Sequence, residues 1–253
     1  MELIVIGAGP AYTDRRGAAA ASYLVRAGDA AILLDLGQGA FPNLASTIDP
    51  SGLAAVLVSH LHPDHFIDLV PLRHYLRYEF APPRRVRVLG PAGLGDRLDA
   101  LHGHPGFTAV SLDVAPLAVG SQRIGPFEVE ARLVHHTEES YAFRVSVAGA
   151  PGTPAGQGLV YTGDCGRSND LIPLIRPGDT LLSEASFGAG QVPAGAEHLT
   201  AADAGCAATD GHAARLLLTH IQIGYSRAEA LAAAQSAFSG PVQFVTEGDR
   251  FEV

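Results

Sequence analysis

At 253 residues the chain is long enough for one large α/β domain or two small ones, and with no linker-like stretch a single domain over residues 1–253 is expected. Its net charge of −9 repels polyanions and argues against nucleic acid as the main partner, and its 17 basic residues are all arginine, which excludes Schiff-base chemistry and a P-loop lysine. Cys165 and Cys206 stand far apart outside any paired motif, so neither a disulfide framework nor a thiolate cluster is expected, and both are read as small buried hydrophobes.

In chain order, the opening MELIVIGAGP has an apolar run with no basic residue before it, and no segment approaches the ~18 apolar residues of a membrane span. A soluble, cytoplasmic protein with no membrane partner is the expectation. Strands are predicted over Glu2 to Gly7, Ser22 to Arg26, Ala31 to Asp35 and Ala54 to Ser59, all rich in Val, Ile and Leu and punctuated by Gly or Asp. Gly7-Ala-Gly9-Pro lacks the third glycine of a dinucleotide loop and reads as a turn. A helix is predicted from Asp64 to Tyr78, then a strand from Val86 to Leu89.

The second half opens with FEVEARLV, Phe127 to Val134, whose alternation suits a half-exposed antiparallel strand. Further strands are predicted over Tyr141 to Val147, Leu159 to Thr162, Thr180 to Glu184, Ala214 to Thr219, Pro241 to Val245 and Arg250 to Val253. Thr200-Ala-Ala-Asp203 and Ser226-Arg-Ala-Glu229 each read as a capping box that starts a helix. The Gly/Pro-rich stretches Ala150 to Gly158 and Phe187 to Glu197 read as surface connections. The fold class that follows is α/β, two sheets packed together with helices outside, a four-layer αββα sandwich.

Polar residues able to bind metals fall at the ends of these strands. SHLHPDH, Ser59 to His65, puts three histidines and an aspartate into six positions after one strand; His136 follows a second, Asp164 a third and His220 a fourth. Strand ends converge on one cleft while the sheets hold the backbone rigid, as a multi-ligand metal site requires. His60 and His62, two apart, point the same way in extended chain. Asp64 and His65 follow Pro63, which suits a turn into a helix, so they approach from another direction. Imidazole with carboxylate and no cysteine suits zinc first, then manganese or iron(II). Alternation alone leaves open whether His135 or His136 is the ligand, while His74, His102, His104 and His212 are read as ordinary surface or core residues.

SHLHPDH, VHHTEES, YTGDCG and LLLTHI, in this order and at these intervals, resemble the metallo-β-lactamase-fold hydrolases over nearly the whole chain. The resemblance implies that His60, His62 and His136 hold one divalent ion, that Asp64, His65 and His220 hold a second, and that Asp164 bridges the two. It favours His136 over His135. Asp35 matches a family aspartate expected to support the ligands from behind.

The implied bridging aspartate sets the chain apart from true β-lactamases; glyoxalase II enzymes keep that bridge but usually add a C-terminal helical region, whereas one helix and the strands Pro241 to Val245 and Arg250 to Val253 are expected here. His198 resembles a non-ligand histidine of the ribonuclease Z and class II cyclic-nucleotide phosphodiesterase branches, suited to protonating a leaving alkoxide. The loops are too short for the arm with which ribonuclease Z grips transfer RNA. The closest resemblance is therefore to the small ribonuclease Z-like and atypical class II phosphodiesterase proteins. The reading is a dinuclear hydrolase that cleaves a phosphodiester in a small substrate, with a 3′,5′-cyclic nucleotide the best-motivated candidate, by way of a hydroxide shared between the ions. Asp64, His198 and Glu184 are assigned to the reaction itself, Glu184 to orient His198 or to serve as a plain strand-end ion pair. The alternatives are a ribonuclease Z-like nuclease using Arg84, Arg85 and Arg87, a thioester or lactone hydrolase, and, least favoured, a metal-binding protein without turnover. Arg15 and Arg16 are weaker candidates for a substrate phosphate. Dimers are common among the proteins it resembles, so a homodimer is admitted.

Overall fold

The computed structural model describes residues 1–147 and 157–253. The predicted connection Ala150 to Gly158 lies almost wholly outside the described residues. Two seven-stranded sheets form the centre. The first is built from β1 (Glu2–Gly7), β2 (Ser22–Ala27), β3 (Ala30–Leu34), β4 (Ala55–Leu57), β5 (Val86–Gly90) and β6 (Leu112–Pro116). The second holds β7 (Gly120–Ile124), β8 (Phe127–Leu133), β9 (Tyr141–Val147), β10 (Leu159–Tyr161), β11 (Thr180–Glu184), β12 (Arg215–Thr219) and β13 (Val242–Phe244). The last strand, β14 (Arg250–Glu252), returns to the first sheet beside β1.

Each sheet passes from antiparallel pairs into a parallel run, β3 to β6 in one and β10 to β13 in the other. The inner parallel strands β4, β10 and β12 are almost entirely Val, Leu and other apolar residues, because both of their faces are covered. One apolar cluster, with Tyr23, Val25, Leu34, Phe127, Phe143 and Tyr161, fills the space between the sheets. A second lies between the first sheet and α1 (Ala40–Thr47), α3 (Leu69–Tyr78) and α4 (Leu94–His102), and a third between the second sheet and α5 (Ala201–Asp210) and α6 (Arg227–Ala237). These are the four layers of an αββα sandwich.

Several expectations need correction. The predicted helix from Asp64 to Tyr78 is split into α2 (Pro63–Phe66) and α3, because the turn between them bonds elsewhere. The His65 carbonyl accepts from Leu36 N, Asp68 N donates to the Leu36 carbonyl, and the Asp68 carboxylate accepts from Phe41 N. The strands β6 and β7 and the helices α1 and α4 lay outside the prediction; β6 and β7 are short edge-side strands, and α1 and α4 start at left-handed glycines, Gly39 and Gly93, without a side-chain cap. The box at Thr200 forms reciprocally, whereas Ser226 caps Glu229 N without a return bond. Cys165 is buried, but Cys206 is exposed on α5, whose buried side is made of Ala201, Ala204, Ala207 and Ala208, with Gly205 packed against Ala234 and Ala237 of α6. No helix of the described residues is long and apolar enough to cross a membrane.

Candidate metal centre

The ends of β4, β8, β10, β11 and β12 open on one edge of the sandwich, and the chain leaving each carries part of the site. Tyr141 N donates to the Ser59 carbonyl at 2.9 Å, so the loop after β4 in one sheet is tied to the start of β9 in the other. The short turn α2 is drawn up against Gly37, where a Cβ would lie 1.9 Å from the Asp64 carbonyl oxygen; only glycine admits this approach. His220 and Asp35 both adopt left-handed backbone, φ 57° and 59°, a conformation uncommon outside glycine and concentrated at functional sites.

Two four-residue nests of ligand atoms result, and Asp164, Glu184 and His198 make a smaller third group beside them. In the first, His60 Nε2 lies 3.0 Å from His62 Nδ1, His136 Nε2 lies 3.1 Å from the same atom, and Asp164 Oδ2 is 3.6 and 3.7 Å from the His60 and His136 nitrogens. In the second, His65 Nε2 and His220 Nε2 are each 3.6 Å from Asp64 Oδ2, and 3.3 and 3.5 Å from Asp164 Oδ1. Asp164 thus offers one oxygen to each nest. Within each nest the ligand atoms all lie within 4.8 Å of one another.

These residues fit a pair of divalent ions. A tetrahedral ion with bonds of ~2.1 Å sets its ligand atoms ~3.4 Å apart, close to the spacings found. His65 Nε2 and Asp164 Oδ1 are buried 3.3 Å apart without meeting in a well-formed hydrogen bond, and a shared cation would satisfy both. The ring nitrogens of His60, His62 and His136, 3.0 and 3.1 Å apart, are spaced as ligands around one cation would be.

The groups behind the ligands fix which nitrogen faces inward. His65 Nδ1 donates to Asp35 Oδ2 at 2.7 Å, His136 Nδ1 to the Glu197 carbonyl at 2.6 Å, and His60 Nδ1 to Ser59 Oγ at 3.1 Å, so that in each ring Nε2 is the nitrogen turned toward the nest. Burial, with the neighbouring imidazole of His65, holds His60 well below the usual histidine range, so it stays neutral and ready to bind.

Beside the nests stands His198, whose Nδ1 donates to both Glu184 oxygens at 3.1 and 3.2 Å and lies 3.8 Å from Asp164 Oδ2. Burial disfavours its charge, but the hydrogen bond and charge of Glu184 outweigh that and raise its pKa to about 9. Glu184 is buried and also accepts from Cys165 N at 2.7 Å and from Ser186 Oγ at 2.5 Å.

All of the sequence-derived site residues, His60, His62, Asp64, His65, His136, Asp164, Glu184, His198 and His220, meet in this one pocket. His135 turns away from the nests to Glu197. Arg84 and Arg85 do not reach the site: Arg84 engages Asp49 and Ser51, and Arg85 engages Asp113 and the Ala109 carbonyl. Arg15 and Arg16 lie exposed in the loop after β1, whose base meets the site where His220 N donates to the Ala8 carbonyl. Ser59, Tyr161 and the Glu197 carbonyl escaped the sequence reading. Only Ser59, sitting between the strand and the first histidine, offered a local signal.

A family model described as a beta-lactamase superfamily domain matches residues 31–221. Among curated proteins, the chain is 34% identical over 246 residues to the uncharacterized protein ML1173 of Mycobacterium leprae, covering 92% of this chain and 82% of that one. It is 28% identical to the probable metallo-hydrolase YhfI of Bacillus subtilis, over 91% of each. The crystal structure of YhfI superposes with a TM-score of 0.85 at 25% identity, over 99% of both chains. A ribonuclease Z from Salinispora arenicola is 28% identical, over 97% of this chain and 94% of its own.

Proposed function

The chain belongs to the beta-lactamase superfamily, and on that premise we propose that it is a metal-dependent hydrolase that cleaves a phosphodiester in a small substrate, a 3′,5′-cyclic nucleotide first among the candidates. The observation that carries this reading is the placement of His198 at the rim of the nests, joined to Glu184 at 3.1 Å and belonging to neither of the two four-residue groups. Departure of an alkoxide needs a proton, whereas a thiolate leaves without one, so a held, protonated imidazole favours an oxygen ester over a thioester.

His60, His62, His136 and Asp164 would hold one divalent ion and Asp64, His65, His220 and Asp164 the other, with zinc favoured and manganese or iron(II) next. When bound, such ions acidify water to serve as nucleophile and offset charge on phosphoryl oxygens. His198 presents its Nε2 proton to the leaving oxygen while Nδ1 stays on Glu184. Glu184 keeps that tautomer and supplies the charge that favours the protonated ring. Asp164, through its two oxygens, fixes the separation of the nests.

A ribonuclease Z-like activity on a large RNA finds less support, since Arg84 and Arg85 are spent on intramolecular partners. Purified protein loaded with zinc or manganese is expected to hydrolyse cyclic AMP or bis(p-nitrophenyl) phosphate in preference to lactoylglutathione or an acyl-homoserine lactone. The reverse preference would discard the phosphodiester reading.

A further inference from the structure

His198 rides on a long connection, residues 185–200, which joins β11 to α5 without any regular element of its own. A segment of that length places a side chain only where something pins it. The residue just before His198 is where the pinning concentrates. The Glu197 carbonyl accepts from His136 Nδ1 at 2.6 Å, and Glu197 Oε1 lies 2.9 Å from His135 Nε2. Gly166 packs so closely on it that a Cβ there would sit 3.0 Å from Glu197 Cα.

His135 is itself held from both sides. Its N–H donates to Asp170 Oδ2 at 2.9 Å, and its carbonyl accepts from Gly166 N at 2.6 Å. Two consecutive residues of the β8–β9 loop, His135 and His136, therefore grip one residue of the β11–α5 loop, one through its side chain and the other through its backbone. His135 contributes to neither nest, and its Nε2 meets Glu197 instead.

We propose that His135 and Glu197 form a positioning pair that holds the loop carrying His198 at the distance from Asp164 and Glu184 that proton donation requires. The inference rests on the reading of His198 as proton donor. Both partners are about two-fifths exposed, 40% and 39%, so the contact adds little to global stability. Its effect is geometric: small misplacements of a reacting group are costly in rate.

The test uses the metal-loaded full-length protein as His135→Ala, Glu197→Ala, the double variant and Glu197→Gln, with His198→Ala as reference. Each is assayed on methyl aryl phosphates whose leaving groups run from p-nitrophenol to phenol. His198→Ala is expected to lose most on the phenyl ester. The two alanine variants and their combination are expected to share the same partial loss there, about 3- to 10-fold in kcat, with KM, two metals per chain and a melting midpoint within ~2 °C of the parent. Glu197→Gln, which still offers an oxygen to His135, should recover most of it. A steep dependence in His198→Ala beside a flat one in the pair variants overturns the pair alone; a flat dependence in His198→Ala overturns the proton-donor reading and the pair with it. A readout independent of turnover is the crystal structure of metal-loaded His135→Ala. The His198 ring is expected to move out of hydrogen-bond reach of Glu184, and an unmoved ring overturns the proposal.

Discussion

The hydroxyl of Tyr161, on β10 of the second sheet, donates at 2.6 Å to the carboxylate of Asp35, at the end of β3 in the first. The same Oδ2 accepts from Ser59 Oγ and from His65 Nδ1, each at 2.7 Å, while Oδ1 takes Ser59 N at 2.6 Å. One buried carboxylate thus joins the two sheets and orients a histidine of the second nest. Asp35→Asn offers one acceptor oxygen where four donors converge. It is expected to weaken metal binding about 10- to 100-fold, read by competition with a chromogenic chelator, and to lower stability by roughly 1–3 kcal/mol in urea unfolding of the metal-free protein.

Asp164 is the residue shared by both nests. Asp164→Ala is expected to abolish hydrolysis and to leave fewer than two metals per chain by elemental analysis. Retention of both ions with full activity would remove the bridge from the assignment.

The pH dependence follows from His198. Its pKa is raised to about 9, with burial opposing and Glu184 prevailing, so the proton is present at neutral pH and lost as pH rises through that value. Turnover should therefore fall on the alkaline side near pH 9. Glu184→Gln removes the charge that raises the pKa, so the falling limb is expected to move to lower pH, and in His198→Ala that limb should vanish from a low remaining rate.

Gly37 tests the link between backbone packing and ligands. Gly37→Ala would drive a Cβ into the Asp64 carbonyl and must displace the turn bearing Asp64 and His65. A loss of about 1–3 kcal/mol is expected, with the second nest failing to load while far-ultraviolet circular dichroism stays that of the parent.

Much of this architecture was legible because two signals were strong. Parallel strands buried on both faces write themselves as unbroken apolar runs, as in β4 and β12, and ligands placed directly after such runs, such as His60 and His220, inherit their position from the strand. What escaped depended on distant partners. The break between α2 and α3 is made by Leu36 and Phe41, some 27 to 32 residues away, and the exposure of Cys206 follows from which side of α5 meets the sheet. The choice between His135 and His136 turns on the Glu197 carbonyl, more than sixty residues further along. The connection Phe187 to Glu197, read as plain surface, in fact delivers Glu197 and His198 to the pocket. Short-range pattern carries no trace of such contacts.

Each nest draws half its atoms from one sheet and half from the other: His60 and His62 against His136 and Asp164, then Asp64 and His65 against Asp164 and His220. Cations seated there straddle the seam of the sandwich, so prising the halves apart would break coordination bonds as well as the greasy interface. Catalyst and rivet become the same object, and chelation should soften the whole molecule, lowering its heat tolerance along with its chemistry.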